Sequence, residues 1–195
     1  MSADGSKMYM VSDHGSLYET DLEGNIIRKA PLEGTDFEGV WADENYIYVV
    51  DERMRKVYKL DQNFNQLNVY TVPYSGARNS CYEGITYNKA KGCFILMVEK
   101  SPVTLLELNK DFEVINEVFL KVASDISAAT WHGNKLWLLS DEDAKIICLD
   151  PNTYKQESSY KINLLNPEGI AFAKDGTLRI LSDDMQTIYK YSAIN

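Results

Sequence analysis

Three glutamates occupy matching places in this sequence, each followed by glycine. They are Glu38 in Asp36-Phe-Glu-Gly-Val-Trp41, Glu83 in Cys81-Tyr-Glu-Gly-Ile-Thr86 and Glu168 in Asn166-Pro-Glu-Gly-Ile-Ala171. A fourth copy, Asp125-Ile-Ser-Ala-Ala-Thr130, carries Ser127 instead, and the four positions follow at intervals of 45, 44 and 41 residues. Carboxylates brought together repel one another, so they either take up protons or bind a cation. Oxygen donors without paired His or Cys favour a hard ion, calcium or magnesium, over zinc. Glu38, Glu83 and Glu168 are therefore the candidate metal ligands, and calcium the candidate cofactor. A competing reading has each glutamate accept backbone N–H groups of the neighbouring repeat, with the glycine permitting tight backbone packing.

A second set of acids closes hydrophobic runs: Met8-Tyr-Met-Val-Ser-Asp13, Tyr46-Ile-Tyr-Val-Val-Asp51, Phe94-Ile-Leu-Met-Val-Glu99, Leu136-Trp-Leu-Leu-Ser-Asp141 and Leu178-Arg-Ile-Leu-Ser-Asp183. In this alignment the acids fall 38, 48, 42 and 42 residues apart. Asp and Ser at strand ends readily bond to nearby backbone, so turn-making is their expected task. His14, beside Asp13, is a candidate ligand-binding residue or general base. The longest connection, residues 73–80, carries Arg78, a second candidate for holding an anionic ligand group above a bound cation. No GxSxG, phosphate loop or dinucleotide fingerprint is present, and no catalytic residue is assigned.

The elements that must position these residues follow from the period. Short strands recurring every 40–45 residues or so are the mark of a β-propeller, each copy forming one blade. The chain is expected to be all-β, a β-propeller of five blades of four antiparallel strands. Second strands are near-continuously apolar and fourth strands polar, as a blade buried in its middle and wet at its outer edge requires. The first copy begins at its second strand and the last ends after its third, giving 18 strands where 20 would close the ring. The expectation is one domain over residues 1–195 whose first blade is incomplete, lacking an N-terminal strand pair of the parent protein, about 20–25 residues. First strands line a propeller's channel, so Glu38, Glu83 and Glu168 should converge there with Ser127. The strand-terminal acids should share that face.

The net charge of −9 makes nucleic acid and anionic membrane surfaces poor partners and favours cations or a partner with a basic patch. A small molecule or protein ligand at the acidic face is the expected partner. The cysteines lack CxxC spacing and read as core residues. No apolar run reaches the roughly 18–20 residues of a membrane span, and no signal peptide precedes the first strand.

The Glu-Gly and Ser-Asp elements together make the chain resemble the SdiA-regulated family of bacterial β-propellers. The resemblance rests on Asp36-Phe-Glu-Gly39, Tyr82-Glu-Gly-Ile85, Asn166-Pro-Glu-Gly-Ile170 and the Ser-Asp strand ends. It implies an extracytoplasmic protein, periplasmic or of the cell envelope, of undefined biochemical role, with calcium known in at least one relative. The Glu-Gly element is also shared with NHL-like and lactonase-type propellers. Two functions are thus expected: a non-enzymatic binding propeller stabilised by calcium or, as the alternative, a calcium-dependent hydrolase similar to gluconolactonase and paraoxonase. Ser127, a poor ligand at an axial position, argues for the first.

Overall fold

The computed structural model describes residues 1–73, 82–100 and 102–192. Among these, every regular element is a β-strand, and the strands form five antiparallel sheets arranged as propeller blades. Blade one contains β1 (Met8–Ser12), β2 (Ser16–Thr20) and β3 (Ile26–Lys29). Blade two contains β4 (Phe37–Ala42), β5 (Tyr46–Asp51), β6 (Lys56–Asp61) and β7 (Gln66–Thr71). Blade three contains β8 (Tyr82–Asn88), β9 (Cys93–Val98), β10 (Thr104–Leu108) and β11 (Val114–Phe119). Blade four contains β12 (Ala128–His132), β13 (Lys135–Ser140), β14 (Lys145–Leu149) and β15 (Gln156–Lys161). Blade five contains β16 (Pro167–Phe172), β17 (Leu178–Ser182) and β18 (Thr187–Tyr191). The first blade has three strands, its innermost being the counterpart of a second strand elsewhere, as the repeat arithmetic predicts.

The apolar second strands feed two blade interfaces at once. Side chains alternate across a strand, so one strand serves the clusters on both sides of its blade. Ile47 and Val49 of β5 join Leu17, Phe37 and Leu60 between blades one and two, while Tyr48 and Val50 join Ile85, Phe94 and Leu96 between two and three. Ile95 and Met97 of β9 then pack on Leu136, Leu138 and Ile147 of blade four. Trp137 and Leu139 pack on Phe172, Leu178 and Ile180 of blade five. Four seams are filled this way. Among the described residues no such cluster joins blade five to blade one. Contact there includes the exposed pair Lys190 Nζ–Glu23 Oε1 at 3.4 Å, with Ile188 lying against Gly24.

A turn that the sequence reading did not single out closes each outer hairpin. Asp21, Asp61 and Asn109 each accept, on Oδ1, the N–H of the residue four positions on, at 2.9 Å; Asp150 accepts that of Thr153 at 2.8 Å. The residue three or four after each acceptor has a positive φ: Gly24 (93°), Phe64 (68°), Phe112 (62°) and Tyr154 (55°). For the three aromatics this conformation is unfavourable by roughly 1 kcal/mol or more. Their rings are buried in the inter-blade clusters, and that burial offsets the strain.

Candidate functional site

The Glu-Gly element is a β-bulge. The ladder shifts register between Phe37 and Gly39, between Tyr82 and Gly84, and between Pro167 and Gly169. In each case the glutamate is the surplus residue, unopposed on the neighbouring strand. A bulge bends its strand and re-aims one side chain. Here it turns Glu38, Glu83 and Glu168 into a common cavity of about 440 Å³ along the axis. The glycines let the inner strands approach: a Cβ on Gly39 would lie 3.1 Å from the Gly84 Cα, and one on Gly84 would lie 3.0 Å from the Ala129 nitrogen.

Burial first, and then nearby acids, raise all three axial glutamates above the ordinary carboxylate range. Burial, followed by the charges of Glu38, Glu52 and others, pushes the Glu83 carboxyl up to about 10. Burial, then a hydrogen bond with Asp36 and the charges of Asp36 and Glu52, pushes Glu38 up to about 8. Glu168 is pushed up to about 7 by burial and then by Asp141, Asp125 and Asp183. With its amide nitrogen facing the acids, Asn166 donates to Glu168 Oε1 at 3.1 Å and to Asp141 Oδ2 at 3.3 Å.

Ser127 behaves differently from the glutamates it replaces. The strand β12 starts after it with no register shift, and its Oγ donates to the Pro167 carbonyl at 2.9 Å. It clasps blade four to blade five.

One group of three acids brings its oxygens within 4.8 Å of one another, among the described residues: Asp36, Glu38 and Glu52. The axial trio shares a cavity but is not so close. Glu52 enters because the strand-end acids align differently from the sequence register. Phe37 opposes Asp51, while Pro167 opposes Ser182 and Tyr82 opposes Val98. Asp51 therefore corresponds to Ser182 and Val98, and Glu52, not Asp51, corresponds to Glu99 and Asp183. The correction is one residue, and on a strand one residue changes the face. Asp51 is wholly buried and accepts the Thr35 N–H (2.9 Å), the Thr35 hydroxyl (2.8 Å) and the Met54 N–H (3.0 Å). The Glu52 N–H bonds to the Asp36 carbonyl at 2.8 Å, as the Asp183 N–H does to that of Asn166 at 3.1 Å, and this fixes Glu52 beside Asp36. The sequence signal for Glu52 was its pairing with Asp36 across the start of the blade, hidden by a run of two acids. In blades four and five the turn-maker is the serine: Ser140 donates to Asp125 at 2.5 Å and Ser182 to the Leu165 carbonyl.

Other predicted residues fall outside this centre. His14 is exposed, its side chain 88% accessible, and pairs with Asp13 through Nδ1 at 2.5 Å; Asp13 lines the cavity and His14 does not. Arg78 lies outside the described residues. His132 stacks on Phe172 at 4.2 Å in an adjoining cavity of about 770 Å³, with Trp41, Tyr87 and Trp131. Arg179, which the sequence reading passed over, lines the axial cavity.

A family model described as SdiA-regulated matches residues 2–192. The chain belongs to the SdiA-regulated family. Comparison with curated proteins gave no significant match. Among solved structures it is similar to a protein of unknown function from Bacteroides caccae (14% identity, 95% of this chain and 68% of that one, TM-score 0.60). It is also similar to the β-propeller domain of Cps50 (Swd1) from Myceliophteria thermophila (13%, 93% and 63%, TM-score 0.55) and to streptogramin B lyase (18%, 100% and 67%, TM-score 0.59). At these identities the likeness establishes the propeller fold. The chain spans about two thirds of each of these structures. No helix among the described residues of this family member is long and apolar enough to cross a membrane.

Proposed function

We propose that this family member is a ligand-binding propeller that takes calcium at its acidic channel mouth, with Asp36, Glu38 and Glu52 as ligands and Glu83 and Glu168 lending charge from the axial cavity. The observation carrying this reading is the approach of those three carboxylates to within 4.8 Å. The donor set is all oxygen and anionic, which suits a hard cation whose ligands tolerate irregular geometry. A bound cation would supply the positive charge that Glu38 and Glu83, driven toward their neutral forms by burial and like charges, otherwise lack. An extracytoplasmic location goes with the proposal, since calcium modules outside the cell work at about 10⁻⁴–10⁻³ M.

The reading as a binder rather than a calcium-dependent hydrolase is supported by the place of His14. The histidine that could activate water stands in solvent outside the cavity wall, and the likeness to streptogramin B lyase, at 18% identity, is one of fold. The deciding experiment is a thermal melt in chelator, in millimolar calcium and in millimolar magnesium, on wild type and Glu38→Gln. A calcium shift that Glu38→Gln abolishes supports the site; equal melting in calcium and chelator overturns it. Turnover of a lactone panel that calcium switches on would replace the binding reading with the hydrolytic one.

A further inference from the structure

The inner strands of blades three, four and five carry a ring at one matching place near their ends. Tyr87, Trp131 and Phe172 oppose Phe94, Leu136 and Leu178, which open the repeated apolar runs. Two of these rings stack on the preceding blade, Tyr87 on Trp41 at 5.5 Å and Phe172 on His132 at 4.2 Å. Trp131 does not. Among the described residues no ring faces its indole and nothing accepts its N–H. The other tryptophans are engaged: Trp41 also packs on Tyr48 and Phe94, and Trp137 packs on Phe172 and donates to the His132 carbonyl at 3.2 Å. The half-buried Trp131 thus keeps an electron-rich face and a donor for a ligand.

It stands on the wall of an open cleft of about 350 Å³, near the low end of the range for small-molecule sites, roughly 300–1,000 Å³. All of the lining comes from blades three and four: Lys89 from the β8–β9 turn, Asn134 and Lys135 close after Trp131, and Asp150 and Asn152 from the β14–β15 turn. Asn88 Nδ2 donates to the Pro151 carbonyl at 2.7 Å and fixes the two sides of the cleft to each other. Asp150 engages Oδ1 with the Thr153 N–H (2.8 Å) and hydroxyl (2.7 Å), and among the described residues no hydrogen bond reaches its Oδ2. The side-chain amides of Asn134 and Asn152 and the Lys89 amine likewise have no partner there. Lys135 pairs with Glu157 at 2.5 Å, so Lys89 and Asp150 leave the cleft with balanced charge. With a chain charge of −9, that balance disfavours an anionic ligand such as phosphate. The walls call for a flat apolar face against the indole and edge groups that both donate and accept. A pyranose with equatorial substituents has that shape, because its ring C–H bonds point to the two faces and its hydroxyls radiate sideways.

We propose that the cleft between the third and fourth blades binds a neutral, equatorially substituted saccharide, with Trp131 as the platform for one sugar ring and Asn134, Asn152, Asp150 and Lys89 bonding its hydroxyls. Trp131 lies four residues beyond Ser127, about 13 Å along the strand. The site is apart from the Asp36–Glu38–Glu52 cluster and needs no metal, so it is tested in chelator. Cellobiose and N,N′-diacetylchitobiose are the probes, titrated into the isotopically labelled whole chain while its indole N–H signals are followed by NMR. The indole signal that Trp131→Phe removes should move saturably with at least one of these sugars. Sorbitol, an open-chain polyol without a ring face, should leave it in place. Trp131→Ala should weaken sugar binding about ten- to thirtyfold, the worth of an aromatic anchor. Asn152→Ala, in an exposed turn, should weaken it about three- to tenfold. No saturable shift of the Trp131 signal with either sugar at tens of millimolar, or an equal shift with sorbitol, overturns the proposal whether or not the alanine variants fold. Unchanged sugar affinity in a folded Trp131→Ala also overturns it.

Discussion

Ser127 gives its hydroxyl hydrogen to the carbonyl of Pro167 across the boundary between blades four and five, at 2.9 Å. At the axial position where three blades present an acid to the cavity, the fourth uses its side chain to hold the ring together. Substituting Ser127→Ala removes this bond and strands a buried carbonyl. Chemical denaturation should register a loss of about 1–2 kcal/mol, while any calcium-induced shift in melting stays as in wild type.

Close strand approach at the axis makes a second position sensitive. In Gly84→Ala the new methyl meets the Ala129 backbone nitrogen at 3.0 Å, and backbone cannot swing aside as a side chain can. Overpacking of this kind costs about 1–3 kcal/mol. A fall in the denaturation midpoint without a change in slope is the expected result.

Glu83 should make the fold prefer acid. Its carboxyl, like those of Glu38 and Glu168, titrates higher in the folded protein than the ordinary 4.5, at about 10, 8 and 7 respectively. The folded state then holds protons that the unfolded chain has released. The resulting stability is full below about pH 4.5 and declines as pH climbs through those values. Glu83→Gln, measured in chelator near pH 8, should therefore be more stable than wild type by about 1–3 kcal/mol and show a flatter profile. A steeper profile would contradict the assignment.

Glu107 sets the opposite limb. Burial alone would raise its carboxyl, but hydrogen bonds from Lys91, Tyr154 and Asn116 hold it below the ordinary value. Stability from this group is present above the unfolded value and is lost as pH falls through the depressed folded one. Tyr154 also accepts a bond from Asn88 at 3.2 Å, so its hydroxyl links blades three and four. Tyr154→Phe should cost about 1–3 kcal/mol near neutrality and less in acid, where the Glu107 bonds weaken.

Calcium and protons should compete. A cation favours the ionised form of Glu38 and its neighbours, whereas acid neutralises them. The calcium-induced rise in melting temperature should grow from about pH 6 to about pH 8.5 as protons leave Glu38. At a hundred times its dissociation constant, calcium would contribute about 2.7 kcal/mol. A shift that shrinks with rising pH would point to a site without these carboxyls.

The propeller and its axial acids were legible because both are written as repeats: the alternating faces of β5, β9 and β13 need long apolar runs, and the channel needs glutamate next to glycine. What escaped was local. A bulge adds one residue to one strand without altering composition, so the Asp51–Glu52 pair could be set one place off and Glu52 overlooked beside Asp36. The outer turns escaped because Phe64, Phe112 and Tyr154 adopt a conformation usually expected of glycine or asparagine. Arg179 escaped because, in a strand, a lone arginine reads as solvated, whereas this one is buried on the wall of the axial cavity.

The glutamates of blades two, three and five stand outside the hydrogen-bond ladder, each a residue more than the pairing requires. The chain can therefore exchange what it presents to the channel without rewriting the sheet that carries it. Selection on the contents of the axis is thereby largely uncoupled from selection on folding. Blade four, with serine at this place, has an unbroken register: where the acid is absent, the surplus residue is absent too.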